Sequence, residues 1–142
     1  IGLRGAEMVA NSIKPDVAIV CDVCHETTSP AYNSVTEGLF EAGKGMVLMK
    51  APAVHNNLLK MVREIADEKG IKYQLGVSSG STGTDTDAFA YPNGTPTVLM
   101  KFPLKYMHTT VETVHKHDVK CVRDGMFELL KNLKEGQDFK YV

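Results

Sequence analysis

The 142-residue chain carries 16 basic and 17 acidic residues, 43% apolar residues and three cysteines. That length suits one compact domain with its own core, and the near-neutral charge balance gives no electrostatic footing for nucleic acid or an anionic membrane surface. Three cysteines are no disulfide framework, the longest apolar runs (17–20 and 46–49) are far too short to span a bilayer, and the first residues do not read as a signal peptide, so the expected compartment is a reducing cytoplasm.

Ala6, Val9, Ala10 and Ile13 recur at helical steps and predict a short helix ending before Pro15. Residues 16–23 form a nearly continuous, β-branched apolar run, the pattern of an interior strand covered on both faces, with Asp22 as its polar residue near the carboxyl end. From His25 to Gly45 the composition turns to Thr, Ser, Pro, Asn and Gly and predicts an irregular loop; residues 46–50 follow as a short strand. Leu58, Met61, Val62 and Ile65 share one face of a helix over 55–69 that stops at Gly70.

Residues 71–77 read as a strand, 78–83 as a small-residue loop, and 85–91 as a short helix ended by Pro92-Asn93-Gly94; 97–102 is another apolar strand. After a loop over 103–110, Asp118 is placed to cap a final helix whose buried stripe is Val119, Val122, Met126, Leu129 and Leu133. Strands alternating with helices predict an α/β layered fold with a largely parallel or mixed sheet. Ligands of such sheets gather at the carboxyl ends of strands.

Asp22 has such a position. A carboxylate at the end of an apolar strand needs either a metal or backbone N–H donors, and the residues alone leave both open. His108, in the loop after the last strand, is open to the same two readings, zinc ligand or ordinary loop histidine. His115 and His117 alternate in an expected extended segment and share a face, but two imidazoles without a third ligand do not make a site, and His25 and His55 read as surface or hydrogen-bonding residues.

Cys21-Asp22-Val23-Cys24-His25 matches the C-x-x-C-H pattern of haem attachment, yet Cys21 continues an apolar strand and no export segment is visible. A structural zinc site lacks a second ligand pair, with Cys121 far off in a helix. Residues 78–85, rich in glycine and hydroxyls ahead of a helix, offer N–H groups to an anion but lack the lysine and spacing of a P-loop; Thr84 or Asp85 serves equally as a helix cap.

Several segments together resemble the dinuclear-metal aminopeptidase family that includes the glutamyl, deblocking and tetrahedral dodecameric aminopeptidases, some labelled endoglucanases. The anchors are residues 1–6 (I-G-L-R-G-A), 14–19 (K-P-D-V-A-I) leading to Asp22-Val23, Gly43-Lys44-Gly45, Thr82-Gly83-Thr84-Asp85, and 103–108 (P-L-K-Y-M-H) with Glu112. The resemblance runs over nearly the whole chain. Lys105 stands where the family usually has Arg, and Thr109-Thr110 where Ser-Pro is common.

The resemblance implies a three-layer α/β/α, zinc-peptidase-like domain with a mixed, largely parallel sheet, of which residues 1–142 are the C-terminal part; the N-terminal part and an inserted smaller domain lie outside the chain. It implies Asp22 and His108 as metal ligands, a general-base glutamate just before Ile1, two zinc or cobalt ions, and hydrolysis of N-terminal residues from peptides by a water the two ions activate. Gly83, Thr84 and Asp85 are expected to line the substrate side, with Asp85 or Asp87 attracting the peptide ammonium. A homo-oligomer of up to twelve subunits is expected, with no nucleic acid or membrane partner. The alternative is a non-catalytic scaffold or assembly segment of the same fold, because the chain alone does not complete the site. A sugar cleft is not expected, since no closely placed Asp/Glu pair is evident.

Overall fold

A computed structural model of the chain describes residues 2–139. In chain order the elements are α1 (Arg4–Ile13), β1 (Ala18–His25), α2 (Ser34–Glu37), β2 (Met46–Lys50), α3 (Asn56–Lys69), β3 (Tyr73–Val77), α4 (Thr86–Asn93), β4 (Thr97–Lys105), β5 (Thr113–Val114) and α5 (Lys116–Asn132). Ile1, which opens the family-like motif, falls outside the described residues.

The sheet runs β1-β4-β2-β3, with β5 added to β4. β1 lies parallel to β4 from Ala18↔Thr97 to His25↔Leu104, and β2 lies parallel to β3. Because β2 meets β4 antiparallel, the carboxyl ends of β1 and β4 share one edge of the sheet, and those of β2 and β3 share the other. β5 returns antiparallel on Leu104 and Lys105, closing a hairpin that the apolar pattern could not announce because the strand is two exposed residues long.

Two helix groups cover the sheet. α3 packs on α5, and both meet β2 and β4; α1 packs on α4, which meets β1 and β4. This is the expected mixed α/β layering. Leu58, Leu59, Val62, Ile65 and Ala66 of α3 are buried, and Gly70 ends the helix in the left-handed conformation at φ 66°. Each fully buried aliphatic side chain of this kind contributes about 1.5–3 kcal/mol, so α3 is a main support of the core.

Several expectations need correction. Among the described residues β1 pairs with β4 alone and Cys21 is exposed, while the most buried strands are β2 and β4. An apolar run does not name its neighbours, so the β1–β4 pairing was not legible in it. α1 forms as expected but buries only Ala10, leaving Met8, Val9 and Ile13 exposed. The 25–45 stretch is not wholly irregular, since β1 extends through His25 and Asn33 caps the single-turn α2 by accepting from Val35 N–H at 3.0 Å. α4 runs on through Pro92 to Asn93, with Gly94 at φ 63° as its stop.

The start of α5 differs most. The helix begins at Lys116, and His115 is its cap, its Nδ1 accepting from His117 N–H at 3.2 Å. His115 and His117 are therefore not alternating residues of an extended segment, although their rings lie 6.4 Å apart. Asp118, with no exposed surface, instead reaches across to the loop before β2, accepting from Gly43 N–H at 2.7 Å and Gly45 N–H at 2.8 Å. Gly45 sits at φ 102°, and a Cβ there would stand 2.1 Å from the Lys72 carbonyl oxygen, so only glycine lets the chain enter β2 beside that residue. The expected α5 stripe holds at Val122 and Leu129, with Met126 and the C-cap Leu133 partly buried against the same core, whereas Val119 is 40% exposed.

Removing the Asp118 carboxylate strands the buried Gly45 N–H and the half-buried Gly43 N–H. Asp118→Ala is expected to lower unfolding free energy by about 2–4 kcal/mol, since a buried donor left unpaired carries its full desolvation cost. Asp118→Asn, which keeps one acceptor oxygen, should lose less; urea denaturation of both variants checks the order.

Candidate functional site

Asp22 occupies the fifth position of β1, half-buried, in register with Lys101 of β4. Paired residues of parallel strands project to the same face, so Asp22 and the buried Lys101 share one. Asp22 Oδ1 accepts from Val23 N–H at 2.7 Å, and Oδ2 has no hydrogen bond among the described residues. The backbone-acceptor and metal-ligand readings of this residue are thus compatible: one oxygen serves each.

His108 lies on the β4–β5 hairpin. Tyr106 and His108 both take left-handed backbone angles, φ 57° and 66°, a region sparsely used by residues with a Cβ. The turn is held by Thr109 N–H on the Tyr106 carbonyl (3.1 Å), Thr109 Oγ1 on the same oxygen (2.6 Å), and His108 N–H on Glu112 Oε1 (2.6 Å). The His108 side chain is exposed, and its ring nitrogens have no protein partner among the described residues.

Asp22 and His108 therefore reach the same sheet edge, but the contact His108 makes is with His25, whose ring is 6.3 Å away and edge-on at 82°. Among the described residues, no three His, Cys, Asp or Glu side chains gather as a metal-binding group. A carboxylate oxygen and a neutral imidazole suit zinc or cobalt in kind. They fall short in number, because a closed or catalytic zinc site takes three or four protein ligands.

The thiols give no rival site. Cys21 and Cys24 are three apart on a strand and point to opposite faces, which rules out the haem-attachment reading. Burial pushes the Cys24 thiol up to about 12, opposed by Lys101 and reinforced by Asp22 and Asp118; burial and Asp22 also raise Cys21.

The Gly83-Thr84-Asp85 segment follows β3, whose carboxyl end lies at the edge away from that of β4, and no hydrogen bond, ion pair or ring contact among the described residues joins it to Asp22 or His108. Its organiser is Asp87. That buried carboxylate accepts from Ser81 Oγ (2.6 Å), Thr82 N–H (3.0 Å), Thr82 Oγ1 (2.9 Å) and Gly83 N–H (3.3 Å). Asp87 is committed to the loop and is not free for a peptide ammonium. Asp85 is exposed and makes no capping hydrogen bond, and Thr84, buried, accepts from Thr86 N–H at 3.3 Å.

Two residues near the site, Lys101 and Glu26, escaped the sequence reading, and a third, His25, read as a surface or hydrogen-bonding residue, does bond Tyr32 but also meets His108. His25 sits three beyond Asp22 at the strand end, a spacing that could have drawn notice. Lys101 became relevant only once the β1–β4 register was known. Glu26, 2% exposed, accepts from Ser29 Oγ at 3.1 Å and from Thr28 Oγ1; the Glu-Thr-Thr-Ser run was its only signal.

With this geometry in view, the chain belongs to the M42 glutamyl aminopeptidase family, which matches residues 1–124. A lysyl aminopeptidase of Pyrococcus furiosus is 33% identical over 136 residues, 95% of this chain and 37% of that protein. The crystal structure of a TET aminopeptidase from a marine sediment thaumarchaeon superposes with TM-score 0.86 at 29% identity, over 95% of this chain and 38% of that one. The Pyrococcus horikoshii TET1 peptidase, described as able to assemble into a tetrahedron or a large octahedral shell, gives TM-score 0.68 at 32% identity over 92% and 37%. The chain thus spans little more than a third of the length of these relatives.

Burial pushes the Asp87 carboxyl up, and the hydrogen bonds from Ser81, Thr82 and Gly83 outweigh it, so the group is held below the ordinary aspartate value of 3.8. A depressed carboxyl contributes stability that is present above the unfolded value and lost as pH falls through the lower folded value. Asp87→Asn should therefore lower the melting temperature at neutral pH and narrow its gap to the unmodified protein below pH 3.8; a constant gap across a pH series would contradict this.

Proposed function

We propose that this chain supplies half of a two-metal aminopeptidase site, and that the protein carrying it removes N-terminal residues from peptides. The observation that carries the proposal is the common sheet edge of Asp22 and His108, in a chain of a family whose relatives are named aminopeptidases. The chain is the C-terminal part of the catalytic domain on this reading.

Asp22 would hold one ion through Oδ2 while Oδ1 stays on Val23 N–H. His108 would hold the other through a ring nitrogen, its backbone fixed by Glu112. Zinc or cobalt, when bound, supplies Lewis-acid polarisation of the scissile carbonyl and a lowered pKa for water. The general-base glutamate and the remaining ligands come from outside this chain. Asp85 is exposed where Asp87 is committed, but because Gly83, Thr84 and Asp85 follow β3 at the edge away from Asp22 and His108, a substrate-side part for them depends on how the rest of the domain completes the cleft.

Assembly into a homo-oligomer, up to a dodecamer, is part of the proposal and is supported by the assemblies named for the TET1 peptidase. Cytoplasmic residence is likewise proposed; among the described residues no helix is long and apolar enough to cross a membrane.

The complete protein should release an amino acid from aminoacyl-anilides with zinc or cobalt and stop when chelated. Asp22→Ala and His108→Ala should each lower kcat/KM on the order of 100-fold or more, beyond the 10–100-fold typical of outer-shell changes. Full activity after chelation, or no metal binding with neither variant having an effect, would favour the scaffold reading instead.

A further inference from the structure

His25 closes β1, and its ring is held from one side. Tyr32 Oη and His25 Nδ1 share a hydrogen bond of 2.6 Å, with ring centroids 4.8 Å apart. Tyr32 is itself tied to the loop by its N–H on the Ser29 carbonyl at 3.1 Å. His25 also meets the ring of His108, with centroids 6.3 Å apart and the planes at 82°.

The need for such a contact follows from how His108 is built. Its backbone is fixed by the hairpin, while its exposed side chain has no ring hydrogen bond among the described residues and makes a ring contact with His25. An imidazole that must be immobilised on binding loses affinity, and one already oriented does not. An edge-to-face contact with a locked aromatic ring supplies that orientation without occupying either imidazole nitrogen.

We propose that His25, locked by Tyr32, is a positioning residue for His108, setting the orientation of its imidazole for metal binding. This rests on the metal-ligand reading of His108. On this reading His25 acts through its ring: Nδ1 is engaged by Tyr32 and the residue projects from the strand face opposite to Asp22, and ligation through Nε2 is the alternative that His25→Phe separates.

The test is zinc affinity of the complete protein by competition with a chromophoric chelator, with the visible spectrum of the cobalt-loaded form as second readout. His25→Ala should weaken affinity about tenfold, within the range for residues that orient a ligand, and alter the cobalt spectrum. His25→Phe and Tyr32→Phe both keep an aromatic wall beside His108 and both lose the Tyr32–His25 hydrogen bond, so each should fall between the unmodified protein and His25→Ala. Unchanged affinity and spectrum in His25→Ala would overturn the inference, as would His25→Phe weakening as much as His25→Ala, which would make the nitrogen a ligand. Zinc affinity untouched by His108→Ala would sink the ligand reading itself, whereas loss in His108→Ala with none in His25→Ala would sink only the positioning role.

Discussion

The parallel pairing of β1 with β4 is the constraint on which the rest depends. It runs in unbroken register from Ala18 to His25, and a one-residue slip would turn Asp22 to the other face and bring Val23 beside Lys101. Because the strands are parallel, their carboxyl ends coincide, which brings the β4–β5 hairpin and His108 to the edge where His25 ends β1. β2 and β3, running opposite to β4, carry no candidate ligand to that edge from their own carboxyl ends. β2 sets Met46, Val47 and Leu48 in the buried middle of the sheet, beside Val98, Leu99 and Met100 of β4.

Around this pairing, carboxylates serve two different purposes, and their hydrogen bonds separate them. Asp118, Asp87 and Glu26 are buried, and each is occupied by two or more N–H or hydroxyl donors from nearby loops. Such groups organise backbone: Asp118 ties α5 to the entrance of β2, and Asp87 shapes the loop before α4. Asp22 differs. It is half-buried, keeps one oxygen on a neighbouring N–H, and lies beside Lys101, opposite in formal charge. A carboxylate left with free acceptor capacity at the carboxyl edge of a strand is available for a ligand in a way the other three are not.

The layering, α3 with its Gly70 stop and the strands 46–50 and 97–105 were legible because periodicity and capping are local. The pairing of β1 with β4 was not, since an apolar run does not name the strand it lies beside. Asp118 was misread as a helix cap because its partners, Gly43 and Gly45, lie more than seventy residues away, and a sequence pattern shows only near partners. Asp22 and His108 stood out through the motifs around them. His25 did not, because its partner His108 is brought near only by the β4–β5 hairpin.

Anomalous diffraction at the zinc edge, from crystals of the complete protein, tests the central claim most directly. The account predicts two peaks about 3.5–4 Å apart, the spacing of two-metal hydrolytic sites, one at bonding distance from the Asp22 carboxylate and the other from a His108 ring nitrogen. Peaks that touch neither residue, or zinc-loaded crystals with no peak at this sheet edge, would contradict it.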